Sequence, residues 1–374
     1  MIRQLLDNIN ISEYAELWLL GIFLVALLIA LRSFPLIIYI AIKRHFFDEP
    51  EERSAHDYKV PTLGGIGIFI SLILVISLSG ILFNTMNMIV LIGGLSLLFF
   101  LGLKDDLYIL DPNKKLLGQI LAALGFVTLT DIRIIGFSNL LSVETLPYWI
   151  SVIFTVFVFI LIINAFNLID GINGLAGSIA LMISLIFTVL FYLSDNLVAS
   201  TLAIALAGSL IPFLRLNMVK PKIFMGDTGS MIVGYMLAFF TISFISDVQN
   251  NPGSDYYFSV PILVQAILFF PLLDTLRIFI IRIFVHKTSP FKADKNHIHH
   301  RLLDLGYSHL KATSIILIMN LSIIILAFVL KDLNIYIQLV GVSVFGIFLF
   351  LIPFYKKIKN KSPLENNLRP TGDK

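Results

Sequence analysis

Four carboxylates and a run of imidazoles stand out in a chain otherwise dominated by apolar residues. Asp105 and Asp106 follow Lys104 at the end of one apolar run, and Asp170 shares a polar island with Asn164 and Asn167. Asp227 sits between glycines in Gly226-Asp227-Thr228-Gly229-Ser230, where a helix N-terminus would welcome an anion or a metal ligand. His297, His299 and His300 precede Arg301 in the most basic internal loop, beside Lys287, Lys292 and Lys295. Imidazoles among Lys and Arg suit phosphate oxygens through charge-assisted hydrogen bonds. Zinc is a poorer fit, because the chain has no cysteine and no HExxH spacing. An Asp near the centre of a membrane helix costs about 2.5 to 3.5 kcal/mol on insertion scales, so a function must offset it.

Spacing narrows the chemistry without closing it. Asn164, Asn167 and Asp170 are three apart, so on a helix they fall within about a third of the circumference. Gly171 and Gly174 then let the backbone turn or approach a ligand closely, although a plain polar turn at the membrane surface would read the same way. Asp105 and Asp106 point about 100° apart on a helix, which suits two separate roles better than joint chelation of one ion. The alternative is a helix end balanced by Lys104 and Lys114. Gly64-Gly65-Ile66-Gly67 fits either close helix packing or a phosphate cradle. The histidine tract could be a solvated basic loop, and Asp274 with Arg277 reads as an ion pair on one helix face.

The elements that must position these groups are membrane helices. The chain has 374 residues, 57% hydrophobic and 14% charged. With a mean hydropathy of +0.92, this implies an all-α, polytopic membrane bundle rather than a soluble domain. Apolar runs at 17–42, 64–83, 88–103, 116–130, 149–163, 175–193, 197–214, 230–246, 259–284, 314–330 and 335–355 give about eleven spans. The third, fourth and fifth are short, and their polar ends are expected to run into the interface. The start of the chain is polar, carries Asp7, Glu13 and Glu16, and lacks the basic flank of a cleavable signal peptide. Placing the N-terminus outside and the C-terminus in the cytoplasm puts most of the 27 lysines and arginines inside. On that orientation His56, Lys104 to Asp106, the Asn164 island, Asn217 to Ser230 and the histidine loop all face the cytoplasm. Residues 1–355 then form one integral-membrane domain, and the basic tail 356–374 is expected to be disordered at the lipid surface.

With the islands placed, the chain resembles the polyprenyl-phosphate N-acetylhexosamine-1-phosphate transferases. The matching pieces are His56 with Pro61-Thr62-Leu63-Gly64-Gly65, Gly102-Leu103-Lys104-Asp105-Asp106 and Asn164-Ala165-Phe166-Asn167-Leu168-Ile169-Asp170-Gly171. They continue with Lys222-Ile223-Phe224-Met225-Gly226-Asp227-Thr228-Gly229-Ser230, and with Ser289-Pro290-Phe291 through His297-Ile298-His299-His300-Arg301. The histidine form resembles the branch that primes O-antigen, enterobacterial common antigen or teichoic acid. The phospho-MurNAc-pentapeptide transferases of peptidoglycan synthesis carry a different, three-histidine form and remain the nearest alternative.

The resemblance implies transfer of a sugar 1-phosphate from a UDP-N-acetylhexosamine, with UDP-GlcNAc the expected donor, to undecaprenyl phosphate. UMP would be released and Mg2+ or Mn2+ used, at the inner face of a bacterial plasma membrane. It also implies roles. Asp227 is the first choice of metal ligand and Asn164 the second. Asp105, Asp106 and Asp170 are the expected catalytic carboxylates, one of the adjacent pair positioning or deprotonating the lipid phosphate. Asn164, Asn167 and Asp170 would face the nucleotide or its diphosphate. His56, Asn217, His297, His299, His300 and Arg301 would hold phosphates or sugar, with Lys104 or Lys222 adding charge. Direct attack by the anionic lipid phosphate is preferred to an aspartyl-phosphate intermediate. A homodimer is compatible with this reading, and no nucleic acid is expected.

One departure bears on the sugar. Many relatives of the priming branch have Asp where this chain has Asn173, so a negative charge is missing and Asn173 cannot act as a base. Donors activated with GalNAc, FucNAc or QuiNAc stay open. Two other classes fit less well. A secondary transporter would place its charges near the midplane within detectable repeats, and a CDP-alcohol phosphotransferase would follow Asp170-Gly171 with Ala-Arg and spaced Asp residues.

Overall fold

The computed structural model describes residues 11–44, 46, 60–83, 86–108, 110–138, 140, 145–251, 253–257, 259–285, 287 and 297–355. Among them there is no strand. After a short 3-10 turn (Ile11–Tyr14) come α1 (Ala15–Arg44), α2 (Gly64–Phe83), α3 (Met86–Leu107), α4 (Pro112–Thr130) and α5 (Tyr148–Ile169). Next are α6 (Leu175–Leu193), α7 (Leu197–Asn217), α8 (Gly226–Gln249), α9 (Val260–Ile267) and α10 (Phe269–Ile280). A π turn (Ile281–Val285) is followed by α11 (Ile298–Asp304), α12 (His309–Val329) and α13 (Ile335–Tyr355). Eight of these helices are long and apolar enough to cross a membrane. Ten of the about eleven expected spans each fall on a single helix, and α3, α4 and α5 run on through their polar ends as their sequences suggest.

The ninth expected span, 259–284, is the exception, because it is broken at Leu268 into α9 and α10. Pro271 lacks the N–H that would reach the Ile267 carbonyl one turn back, and its ring crowds that carbonyl. Asn320 of α12 repairs the gap from the side. Its amide nitrogen donates to Ile267 O at 3.1 Å, and its oxygen accepts from Phe270 N at 3.2 Å. A buried backbone group in the bilayer needs such a partner.

Helix α8 is the axis of the bundle and is almost wholly buried, in contact with α2, α3, α5, α6, α7 and α9. Glycines let its first turn approach its neighbours. A Cβ on Gly65 of α2 would lie 2.2 Å from Gly229 N, and one on Gly102 of α3 would lie 2.5 Å from Thr228 Cα. The Gly64 and Gly65 amides donate to Phe224 O and Met225 O at 2.9 and 3.0 Å. The glycine run therefore serves packing, and those two amides are not aimed at a phosphate. Outward faces of α1, α12 and α13 carry Leu24, Leu28, Ile318, Ile325 and Phe348, all exposed, as a lipid-facing surface requires.

Candidate active site

The polar ends of several helices meet at one end of the bundle. Helix α4 opens with Asp111 as N-cap, accepting from Asn113 N at 2.8 Å, and Pro112 in its first turn, so that Lys115 turns inward. The Lys115 ammonium sits 2.9 Å from Asp105 Oδ2 and also pairs with Asp227 Oδ1. Burial pulls that ammonium's pKa down, but Asp227 and Asp105 outweigh it and hold the group above the usual lysine range. From α5, Asn167 Nδ2 donates to the same Asp227 oxygen and to Ser230 Oγ at 2.9 Å.

Asp106 does something different from Asp105, as their angular separation suggested. Helix α8 begins without a side-chain cap of its own. Asp106 supplies one from α3, accepting from Asp227 N at 2.7 Å, Thr228 N at 3.0 Å and the Thr228 hydroxyl. The anion at this helix N-terminus is thus a side chain of the protein, and it fixes the turn that carries Asp227. Asp105 meanwhile accepts from Leu110 N at 2.7 Å. Asp170, at the end of α5, has its carboxyl raised well above the usual range by burial, then by the charges of Asp227 and Asp106.

The histidine helix closes the other side. His299 is 1% exposed, and both its ring nitrogens lack a hydrogen-bond partner. A Cβ on Gly171 would lie 2.3 Å from its Nε2, so the glycine is what lets the ring reach the Asp170 turn. Burial, then His300, His297 and His309, lowers its pKa well below the ordinary value, so the ring is neutral. His297 stacks on it at 5.3 Å, and His300 lies 4.4 Å away. Asn173 N donates to His309 Nδ1 at 3.3 Å, and Asn217 accepts from Gly174 N at 2.6 Å while donating to Ile223 O at 2.9 Å.

Several expected contributors are placed elsewhere. Asn164, the second choice for the metal, donates to Gln119 Oε1 at 2.7 Å and Ile160 O at 2.8 Å, one turn before Asn167 on α5. It braces α5 against α4. Asn217 is a buried clasp between two loops rather than an open binding group. Arg301 directs Nε to Pro353 O at 3.2 Å and Nη2 to Phe354 O at 3.4 Å, closing the end of α13. Asp274 does not take Arg277 as its partner. It binds His297, and the Arg277 guanidinium lies 4.3 Å from the Phe354 ring centre. Lys104 and Lys222 are exposed. His56, Ser289 to Phe291 and the tail 356–374 lie outside the described residues. Lys115 is a contributor that the structure adds, bridging carboxylates from two other helices.

Asp227 and Asp105 are the side chains here with the chemistry to serve a divalent cation. Among the described residues no group of three or more His or acidic side chains is placed to hold a metal ion. Mg2+ needs only one or two carboxylates, since waters and substrate phosphates complete its shell. The Lys115 ammonium already bridges Asp227 and Asp105, which shows that the two carboxylates converge on one positive charge.

Residues 88–245 match the family described as Glycosyl transferase family 4. The chain is 32% identical over 333 residues to a probable undecaprenyl-phosphate N-acetylglucosaminyl 1-phosphate transferase of Bacillus subtilis, covering 88% of this chain and 90% of that one. It is 33% identical to a decaprenyl-phosphate N-acetylglucosaminephosphotransferase of Mycobacterium leprae, over 71% of this chain and 72% of that one. An undecaprenyl-phosphate alpha-N-acetylglucosaminyl 1-phosphate transferase of Thermotoga maritima is 30% identical, over 69% and 73% respectively.

Proposed function

Because this chain belongs to glycosyl transferase family 4, we propose that it transfers N-acetylglucosamine 1-phosphate from UDP-GlcNAc to undecaprenyl phosphate, releasing UMP. The observation that carries this is the convergence of Asp105, Lys115, Asn167 and Asp227 at one end of a membrane bundle, with the histidine helix against the Asp170 turn. A lipid phosphate arriving from the bilayer and a nucleotide sugar arriving from water meet only at such a boundary.

In the reaction an oxygen of the lipid phosphate attacks the β-phosphorus of the donor. A new P–O bond forms, the bond to the α-phosphate breaks, and UMP leaves with the electron pair. The sugar's anomeric C–O bond is untouched. Such a transfer is mostly positioning and charge neutralisation. Asp227, with Asp105 beside it, would hold Mg2+ or Mn2+, which when bound neutralises the donor diphosphate. Lys115 adds a fixed positive charge between the same carboxylates, and Asn167 orients Asp227. Asp106 keeps the α8 turn in register. The neutral His299 offers a lone pair and an N–H group to phosphate or sugar without adding like charge to Lys115.

The site faces the cytoplasm of a bacterial plasma membrane in this reading, as the distribution of Lys and Arg supports. The test is UMP release by purified protein given undecaprenyl phosphate and a panel of UDP-sugars, with UDP-MurNAc-pentapeptide included. UDP-GlcNAc should be the preferred donor. Turnover of the pentapeptide donor instead would move the chain to the other branch, and uptake of a solute without UMP would overturn the enzyme reading.

A further inference from the structure

Asp274 is a carboxylate that the transfer as described does not use. It lies on α10 just past the break at Pro271 and is 1% exposed. Leaving a charge unpaired there would be strongly destabilising, and an apolar residue would pack at least as well. Asp274 is not unpaired. Its Oδ2 lies 2.8 Å from His297 Nδ1, and its Oδ1 accepts from Ile298 N at 3.1 Å. Ile298 is the first residue of α11, whose N-cap residue, His297, makes no side-chain capping bond to the helix. One carboxylate thus holds both a ring and the backbone from which His299 and His300 project. A carboxylate in its ionised form can only accept, and against it the matching His297 tautomer is the one with the proton on Nδ1. The His297 ring in turn stacks on His299, with planes 9° apart, and His299 abuts Gly171.

We infer that Asp274 is a positioning residue for the transfer: from inside the bundle it fixes the His297 tautomer and the start of α11, and so holds the histidine face against the Asp170 turn. The inference rests on the proposed reaction only for its kinetic arm. Asp274→Asn keeps the shape and an acceptor for Ile298 but offers His297 a donor, which reverses the polarity at Nδ1. In UMP-release assays this variant should lose about tenfold or more in kcat, the range typical of outer-shell partners of a histidine, with KM for UDP-GlcNAc changed less than about threefold. In a His297→Ala background the same change should cost nothing further, whereas independent multiplication of the two losses would overturn the inference. Nitrogen NMR of histidine-labelled wild-type protein, with the His297 signal identified by its loss in His297→Ala, gives a readout besides activity. A protonated Nδ1 is expected, and an unprotonated one overturns the inference whether or not the Asn variant folds. Absence of UMP from the wild type would refute the reaction and leave the ring nitrogens to decide this point.

Discussion

At the scale of single residues, Asp227 is where the electrostatics concentrate. It takes an ammonium and an amide on one oxygen, while its own backbone is tied to Asp106. Asp227→Asn should abolish metal-dependent UMP release while leaving a folded protein. Added Mg2+ should raise the thermal midpoint of the wild type and not of this variant, because a ligand that binds only the folded state stabilises it. Gly171→Ala tests the opposite wall. A methyl placed 2.3 Å from His299 Nε2 must push ring or backbone aside. A displacement of about 1 Å at a reacting site can cost about 100-fold, so kcat should fall by that order with the protein still folded. Asp227, Asp170, Asn167 and the histidines were legible as residue types in polar islands. Lys115 and Asp274 were not, for a physical reason. Spacing along one helix displays neighbours three or four apart and so pairs Asp274 with Arg277, whereas its partner lies 23 positions away in the chain. Lys115 in turn was hidden among other basic residues at a membrane edge.

Between residue and molecule stands the helix end. Two helices here, α8 and α11, lack caps of their own and receive a carboxylate from another membrane helix. Asp106→Ala would leave three donors of the α8 start without their acceptor. Loss of an N-cap costs about 0.5 to 2 kcal/mol, so a measurable drop in thermal midpoint is expected. A fall in turnover should accompany it, since Asp227 sits on the released turn. Asp106→Asn, which keeps an acceptor, should recover part of the stability. Apolar runs were enough to locate the helices, because a backbone in hydrocarbon has few other ways to satisfy its bonds. The break at 268 was harder to read. Pro271 was visible, but a proline can merely bend a helix, and the Asn320 side chain that makes a full interruption tolerable comes from another helix.

For the molecule as a whole, the one-sided gathering of polar loops makes orientation testable. The chain contains no cysteine, so single cysteines can be introduced on a clean background. Lys222→Cys should react with a membrane-impermeant maleimide only after cells are opened, and Asp332→Cys should react in intact cells. The reverse pattern would invert the orientation argued from the basic residues. Both positions are exposed, so lack of reaction cannot be blamed on burial.

The central place of α8 has a consequence for how the molecule is made. Of the six helices around it, α2, α3, α5, α6 and α7 precede it in the chain. The packing of these early helices is therefore completed only by a later one, which brings the partners of Asp106 and Asn167. A chain cut short before residue 226 would leave both groups without those partners, and the α8 packing that buries the centre of the bundle would be missing with them.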